Sequence, residues 1–365
     1  MDVFWHPSVL DHDTGSGVFE AADTGLIDTP ELHPENAERV RNMHSVLERG
    51  PIAGHLRWRD GREATEAQLA VLHDPDYIAS LRRTCETGGG RFSSTTIVSP
   101  ASWIPMLAAA GGALEAARAV LDGETEVAYA LVRPPGHHAG PAMTDGYCFF
   151  NNSGLAAQLA RDRGVPRVAV VDWDVHHGNG TQACFYGRAD VLTISLHMRH
   201  GSWGPSHPET GAPDELGEGE GRGYNINVEL RPGSGDGAYM AAFQRIVLPV
   251  LRQFEPGLIV GAVGQDASAF DPNGRQNVTM AGFRAIGDAL RRAAGELCGG
   301  RLVLVQEGGY ARTYAAYCLH TTLEGVLGTG PLLDDPLAFM PDDPGHADAD
   351  LDLVVSHAGR HWELE

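Results

Sequence analysis

An open α/β domain, with a mostly parallel sheet covered by helices on both faces, is the fold this sequence predicts. Three observations predict it. Short apolar, β-branched runs recur along the chain, each bounded by turn residues. Helical patterns separate most of them, which is how parallel strands are connected and why such strands read as near-continuous apolar runs. Acidic, histidine and tyrosine side chains cluster just past the carboxyl ends of these runs, where open α/β sheets place their ligands.

In chain order, "WIPMLAAAGGALEAARAVL" (103–121) reads as a helix and "EVAYALV" (126–132) as the strand after it. A helix over 151–164 leads to the strand "RVAVVDWD" (167–174), and "DVLTISLH" (190–197) is the next. A long Gly- and acid-rich loop, 207–223, precedes the strand "GYNINVEL" (223–230). A helix over 236–254, a strand over 257–263, a helix over 280–297 and the strand "RLVLVQEGG" (301–309) follow, and 330–350 is a loop rich in Pro and Asp. With no fixed-period repeat and no dividing linker, residues 1–365 are expected to form one domain.

Of the 365 residues, 42% are hydrophobic, ample for a large core. Forty-eight acidic residues against 27 basic ones give a formal charge of −21. That field repels phosphate backbones and anionic lipids and attracts cations, so neither nucleic acid nor membrane is an expected partner. The five cysteines are scattered, with no C-x-x-C pair, a pattern of a reducing compartment. The start, "MDVFWHPSVLDHD", lacks the features of a secretory signal, and no stretch approaches 18 uninterrupted apolar residues. A cytoplasmic location is expected.

The segment "VVDWDVHHGNG" (170–180) crowds costly polar side chains behind an apolar run. On a continuing strand Asp172, Asp174 and His176 project to one side. Two carboxylates there raise one another's pKa unless a cation compensates. Aspartate and histidine donors suit a divalent metal, with positions left open for water and substrate. A hydrogen-bonded polar cluster at a sheet end is the alternative.

"PPGHHAG", "GYCFFNN", "DWDVHHGNGTQ", "TISLH", "GQDASAFDP" and "VQEGGY" occur here in the order seen in the histone deacetylase family. The chain resembles the class II branch and bacterial histone deacetylase-like amidohydrolases, from about His33 to past Tyr310. The resemblance implies an arginase/deacetylase-type open α/β domain around an eight-stranded sheet, with one zinc held by Asp174, His176 and Asp266. It makes Asp172 the partner of His137 and Asn179 the partner of His138, fixing each imidazole through its far nitrogen. It also places a structural monovalent cation, potassium, at Asp172, Asp174, His176, Ser195 and Leu196, partly through backbone carbonyls.

Amide hydrolysis needs an activated water, a polarised carbonyl, a stabilised oxyanion and a protonated leaving amine. Zinc supplies the first two. One of His137 and His138 must accept and deliver a proton; the resemblance points to His138, with His137 assisting electrostatically. Tyr310, freed by Gly308 and Gly309 to enter the cleft, would donate to the oxyanion. Gly146, Tyr147, Trp203, Asn273 and Gly308 match the acyl-lysine channel. The channel departs from the family at Gly204, before Pro205, where relatives place phenylalanine; Trp203 is the candidate replacement. Asn273 stands where many members carry leucine and polyamine-selective ones an acid. The loop 87–100 lacks a substrate-holding aspartate. Arg39 matches an arginine of an internal exit channel, the alternative being an exposed helix residue.

The expected substrate is an N-acylated amine or acyl-lysine, with homo-oligomerisation left open. A binuclear arginase-like hydrolase wants a second carboxylate two residues after Asp266, where Ser268 stands. A non-catalytic acyl-binding module would not need the intact histidines and tyrosine, and turnover with and without a chelator separates it from an enzyme.

Overall fold

The structure, a computed structural model, describes residues 1–15, 25–26, 28–29, 32–93, 95–201 and 207–365. Its strands are β1 (Asp2–Trp5), β2 (Arg57–Asp60), β3 (Gly90–Arg91), β4 (Ile97–Val98), β5 (Val127–Ala130), β6 (Val168–Asp172), β7 (Val191–Met198), β8 (Asn225–Leu230), β9 (Leu258–Val263) and β10 (Leu302–Gln306). Eight form one sheet in the order β2-β1-β5-β10-β9-β6-β7-β8, and β3 and β4 make a separate antiparallel pair. Every pairing in the large sheet is parallel. The arginase/deacetylase-type fold expected from the resemblance is therefore present.

Strand alternation explains the two layers. Ala169, Val171, Ile259, Leu302 and Leu304 face a core shared with helices Ala37–Arg49, Met280–Cys298 and Tyr314–Leu327. Val168, Val170, Val260, Val303 and Val305 face the opposite core, under helices Trp103–Leu121 and Asn152–Asp162. A buried aliphatic side chain contributes about 1.5–3 kcal/mol, whereas a buried charge costs several. The central strands accordingly stay apolar until their carboxyl ends, and Asp172 is the last residue of β6. Helix Trp103–Leu121 is long and apolar enough to cross a bilayer, but most of it is buried within the protein.

The six predicted strands are all present. The edge pair β1 and β2 was not anticipated: β2, "RWRD", is short and partly exposed and carries no apolar run. The predicted helix 236–254 is interrupted by a π-turn at Phe243–Val247. Pro249 lacks the N–H that a continuous α-helix would use and crowds the preceding turn.

Candidate metal centre and active site

Four adjacent central strands, β5, β10, β9 and β6, deliver the reactive residues. After β6 the chain moves to β7, and after β9 it moves the other way to β10, so a crevice opens between β9 and β6 at their carboxyl ends. Asp266 follows β9, and Asp174 and His176 follow β6.

The extended geometry assumed for "DWDVH" ends at Asp172, which corrects the expectation of a continuing alternation. Asp172 Oδ1 accepts from Asp174 N at 3.0 Å, and Asp174 Oδ1 from His176 N at 2.9 Å, so successive Asx turns bend the chain. Asp174 and His176 then converge on Asp266, their donor atoms all within 4.8 Å of one another. His176 Nδ1 lies 3.0 Å from Asp174 Oδ1 and 3.2 Å from Asp266 Oδ2. Asp172 instead turns toward His137.

These three residues fit a metal. Gly308 N donates to Asp174 Oδ2 at 2.7 Å and Val175 N to Asp266 Oδ1 at 2.8 Å. Asp266 Oδ2 is sealed from solvent and receives no well-aligned hydrogen bond; the His176 imidazole faces it 3.2 Å away. Burial and the neighbouring Asp174 push Asp266 up to about 8. Burial disfavours charge on His176 too, but the adjacent carboxylates of Asp174 and Asp266 outweigh it and raise the imidazole to about 10. Protons thus gather where a cation would satisfy the same acceptors. A Cβ on Gly308 would lie 2.0 Å from Asp266 Oδ2, so only glycine leaves this space open.

A second donor group, His137, Cys148 and Glu307, is also compact and buried. Its carboxylate is already satisfied: Gly136 N and His137 N donate to Glu307 Oε2 at 2.6 and 3.0 Å, and Ser153 Oγ to Oε1 at 3.0 Å. Glu307, pushed by burial to about 7, shapes the backbone that carries the histidine pair.

His137 Nδ1 lies 2.8 Å from Asp172 Oδ2 and His138 Nδ1 2.6 Å from Asn179 Oδ1, the pairing expected from the resemblance. The two rings are 4.0 Å apart between centroids, yet their environments pull them in opposite directions. Burial opposes charge on His137, but Asp174 and Asp172 outweigh it and hold the ring well above the usual histidine range. Burial, then His137, His207 and His176, hold His138 well below it. His177 turns away: its nitrogens meet Gln182 Oε1 at 3.1 Å and Thr210 Oγ1 at 3.2 Å, anchoring the 207–223 loop.

Tyr310 is held by Asp271, whose Oδ2 accepts from Tyr310 N at 2.6 Å and Ala311 N at 3.1 Å. Burial and the carboxylates of Asp174 and Asp266 keep its phenol well above the ordinary tyrosine range, hence protonated. Gly146 and Tyr147 both have positive φ, 45° and 69°, closing a tight turn in which Cys148 N donates to Asp145 O at 2.7 Å. That turn sets the Tyr147 ring 5.7 Å from Tyr310, edge to face, and a Cβ on Gly146 would strike His138 at 2.2 Å. Asn273 Nδ2 donates to the Tyr147 hydroxyl at 3.2 Å. Ser195 pairs with Asp172 across β7 and β6, with Leu196 next to it. Trp203, Gly204 and Pro205 lie outside the described residues.

Sequence reasoning left Arg39 between two readings, and the exposed one is overturned. Arg39 is fully buried, donates to Glu35 Oε1 and Glu307 O at 3.0 Å, and lies 5.3 Å from the Tyr310 ring centroid. Arg133 Nε donates to the same Glu35 oxygen at 2.8 Å. Glu35, Arg133, Asp145, His207 and Asp271 were all missed. The one available signal was the i, i+4 spacing of Glu35 and Arg39.

The histone deacetylase domain model matches residues 33–326. Histone deacetylase 8 of Arabidopsis thaliana is 51% identical over 361 residues, covering 98% of this chain and 96% of that protein. The histone deacetylase-like amidohydrolase of Pseudomonas aeruginosa is 42% identical, over 91% of this chain and 86% of its own length. The crystal structure of an HDA15 HD domain superposes with a TM-score of 0.85 at 32% identity, covering 100% of this chain and 97% of that one. With the convergent aspartates and histidines and the all-parallel sheet, these matches establish that the chain belongs to the histone deacetylase family.

Proposed function

We propose that this hydrolase is a zinc-dependent deacetylase that cleaves the N-acyl amide of acetyl-lysine or of acetylated amines. The observation that carries the reading is the buried convergence of Asp174, His176 and Asp266, their donor atoms within 4.8 Å of one another, beside two oriented imidazoles. Asp174, His176 and Asp266 would hold the ion, which supplies a water of lowered pKa and a polarised acyl oxygen.

The chain's own residues do the remaining work. His138 is neutral, and with Nδ1 tied to Asn179 its Nε2 is free to take a proton from water and return it to the leaving amine. His137, charged beside Asp172, stabilises negative charge as it develops. Tyr310 keeps its phenolic proton and donates it in a hydrogen bond to the oxyanion. Tyr147 lines the acyl-lysine channel. A structural potassium ion at Asp172, Asp174, His176, Ser195 and Leu196 completes the reading, supported by the Asp172–Ser195 register.

Small acetylated amines are the second substrate class. Polyamine deacetylase HDAC10 of Homo sapiens is 35% identical over 324 residues, but position 273 here is an uncharged asparagine that binds Tyr147. Turnover of acetyl-lysine peptides against acetylpolyamines, before and after chelation and zinc readdition, tests the proposal. Activity that survives complete metal removal would overturn it.

A further inference from the structure

The Asn179 amide that faces His138 is held in turn by groups outside the catalytic set. Its Nδ2 donates to Asp145 Oδ2 at 3.1 Å, and His207 Nδ1 lies 2.6 Å from the same oxygen. Asp145 is 2% exposed, so its carboxyl group lies inside the protein and not in water. His207 begins the long acidic loop, and its ring stands 5.9 Å from that of His138, edge to face. A continuous line of side chains, His138–Asn179–Asp145–His207, therefore joins the imidazole to the 207–223 loop.

An amide can turn over and exchange its oxygen for its nitrogen, whereas a carboxylate offers only acceptors. With Asp145 fixed on one side, the NH2 end of Asn179 must face it and the oxygen must face His138. That oxygen accepts only if His138 carries its proton on Nδ1, which leaves Nε2 as the basic atom. Were the amide reversed, the proton would sit on Nε2 and the ring could not begin the reaction.

We propose that Asp145 and His207 are positioning residues which, through Asn179, hold His138 in the Nδ1–H tautomer that proton abstraction requires. The inference rests on His138 being the acid–base group. The tight turn serves both tasks at once: Gly146 and Tyr147, in left-handed conformations, send Tyr147 toward Tyr310 and Asp145 back toward Asn179. His207 sits on the carboxylate oxygen that orients the amide, so the loop's seating feeds directly into the tautomer.

The zinc-loaded protein with 15N-labelled histidine is compared with Asp145→Ala, Asp145→Asn, His207→Phe and His207→Gln. Imidazole nitrogen shifts report the His138 tautomer, and steady-state kinetics on an acetyl-lysine peptide separate kcat from KM. Asp145→Ala should convert most of the His138 population to the Nε2–H form and lower kcat about 10- to 100-fold, the range seen when an orienting partner of a site residue is lost, with KM and zinc content unchanged. Asp145→Asn, nearly isosteric and safe for folding, should show a smaller loss of the same kind. His207→Phe should also lose kcat, and His207→Gln, which keeps an N–H donor, should recover most of it. A pure Nδ1–H tautomer in both Asp145 variants overturns the proposal, as does a loss confined to KM. The tautomer is read without turnover, so a parent inactive on every acylated substrate would sink the deacetylase reading and leave this one to be decided by the spectra.

Discussion

At the scale of single residues, the proposed zinc rests on three donors that converge on one point. Asp174→Ala, His176→Ala and Asp266→Ala each remove one of three convergent donors. Each should lose stoichiometric zinc, measured by elemental analysis of the purified protein, and with it all but a trace of activity. Full zinc retention in all three variants would refute the ligand set. Tyr310 is a different case, because in the proposed reaction its hydroxyl acts mainly when charge has developed on the acyl oxygen. Tyr310→Phe should therefore lower kcat about 100- to 1000-fold with little change in KM. An unchanged turnover number would remove Tyr310 from the reaction.

At the scale of elements, the packing of two long helices depends on missing side chains. A Cβ on Gly287 would lie 2.1 Å from Thr322 O, and one on Gly325 would lie 2.0 Å from Arg284 O. Helices Met280–Cys298 and Tyr314–Leu327 thus meet backbone to backbone. Gly325→Ala should force them apart at a cost of about 1–3 kcal/mol, seen as a lower denaturant midpoint. Zinc content and kcat should hold, since neither Gly325 nor its contact Arg284 is among the proposed metal ligands. Helices of this kind, and the central strands, were legible because period and burial coincide: Val168 to Val171 is an uninterrupted apolar run. Edge strand β2 was not, because an edge buries little and needs no such run. The same division holds for the site. Asp174 and His176 announce themselves by crowding, but Asp145 is an ordinary turn aspartate in sequence. Its partner His207 lies in a loop with no periodicity, and only the fold brings the two together. Arg39 read equally well as a surface residue until the sheet placed Glu307 above it.

At the scale of the whole molecule, the charge of −21 should act on substrates before they reach the channel. A groove lined by Asp74, Asp76, Tyr77, Phe92 and Thr144 sets two carboxylates beside aromatic side chains. Such a surface concentrates cations, and a surface field fades over about 8 Å at physiological salt. Raising salt should therefore lower kcat/KM for an acetylated polyamine about tenfold, the low end of electrostatic steering. A neutral acyl-lysine coumarin amide should barely respond. Equal responses would mean that the field does not guide substrate, and selection would then fall to the channel around Tyr147 and Asn273. Asn273→Glu examines that channel directly. The substitution removes the donor that Tyr147 now accepts from, and the phenol can turn to donate to the new carboxylate instead. The added charge lies close to Asp271, which burial already pushes up to about 6, so some of it is neutralised by proton uptake at low pH. At neutral pH the carboxylate is left to pair with a remote ammonium, and kcat/KM should shift toward the polyamine. No gain over the parent would place that ammonium away from position 273.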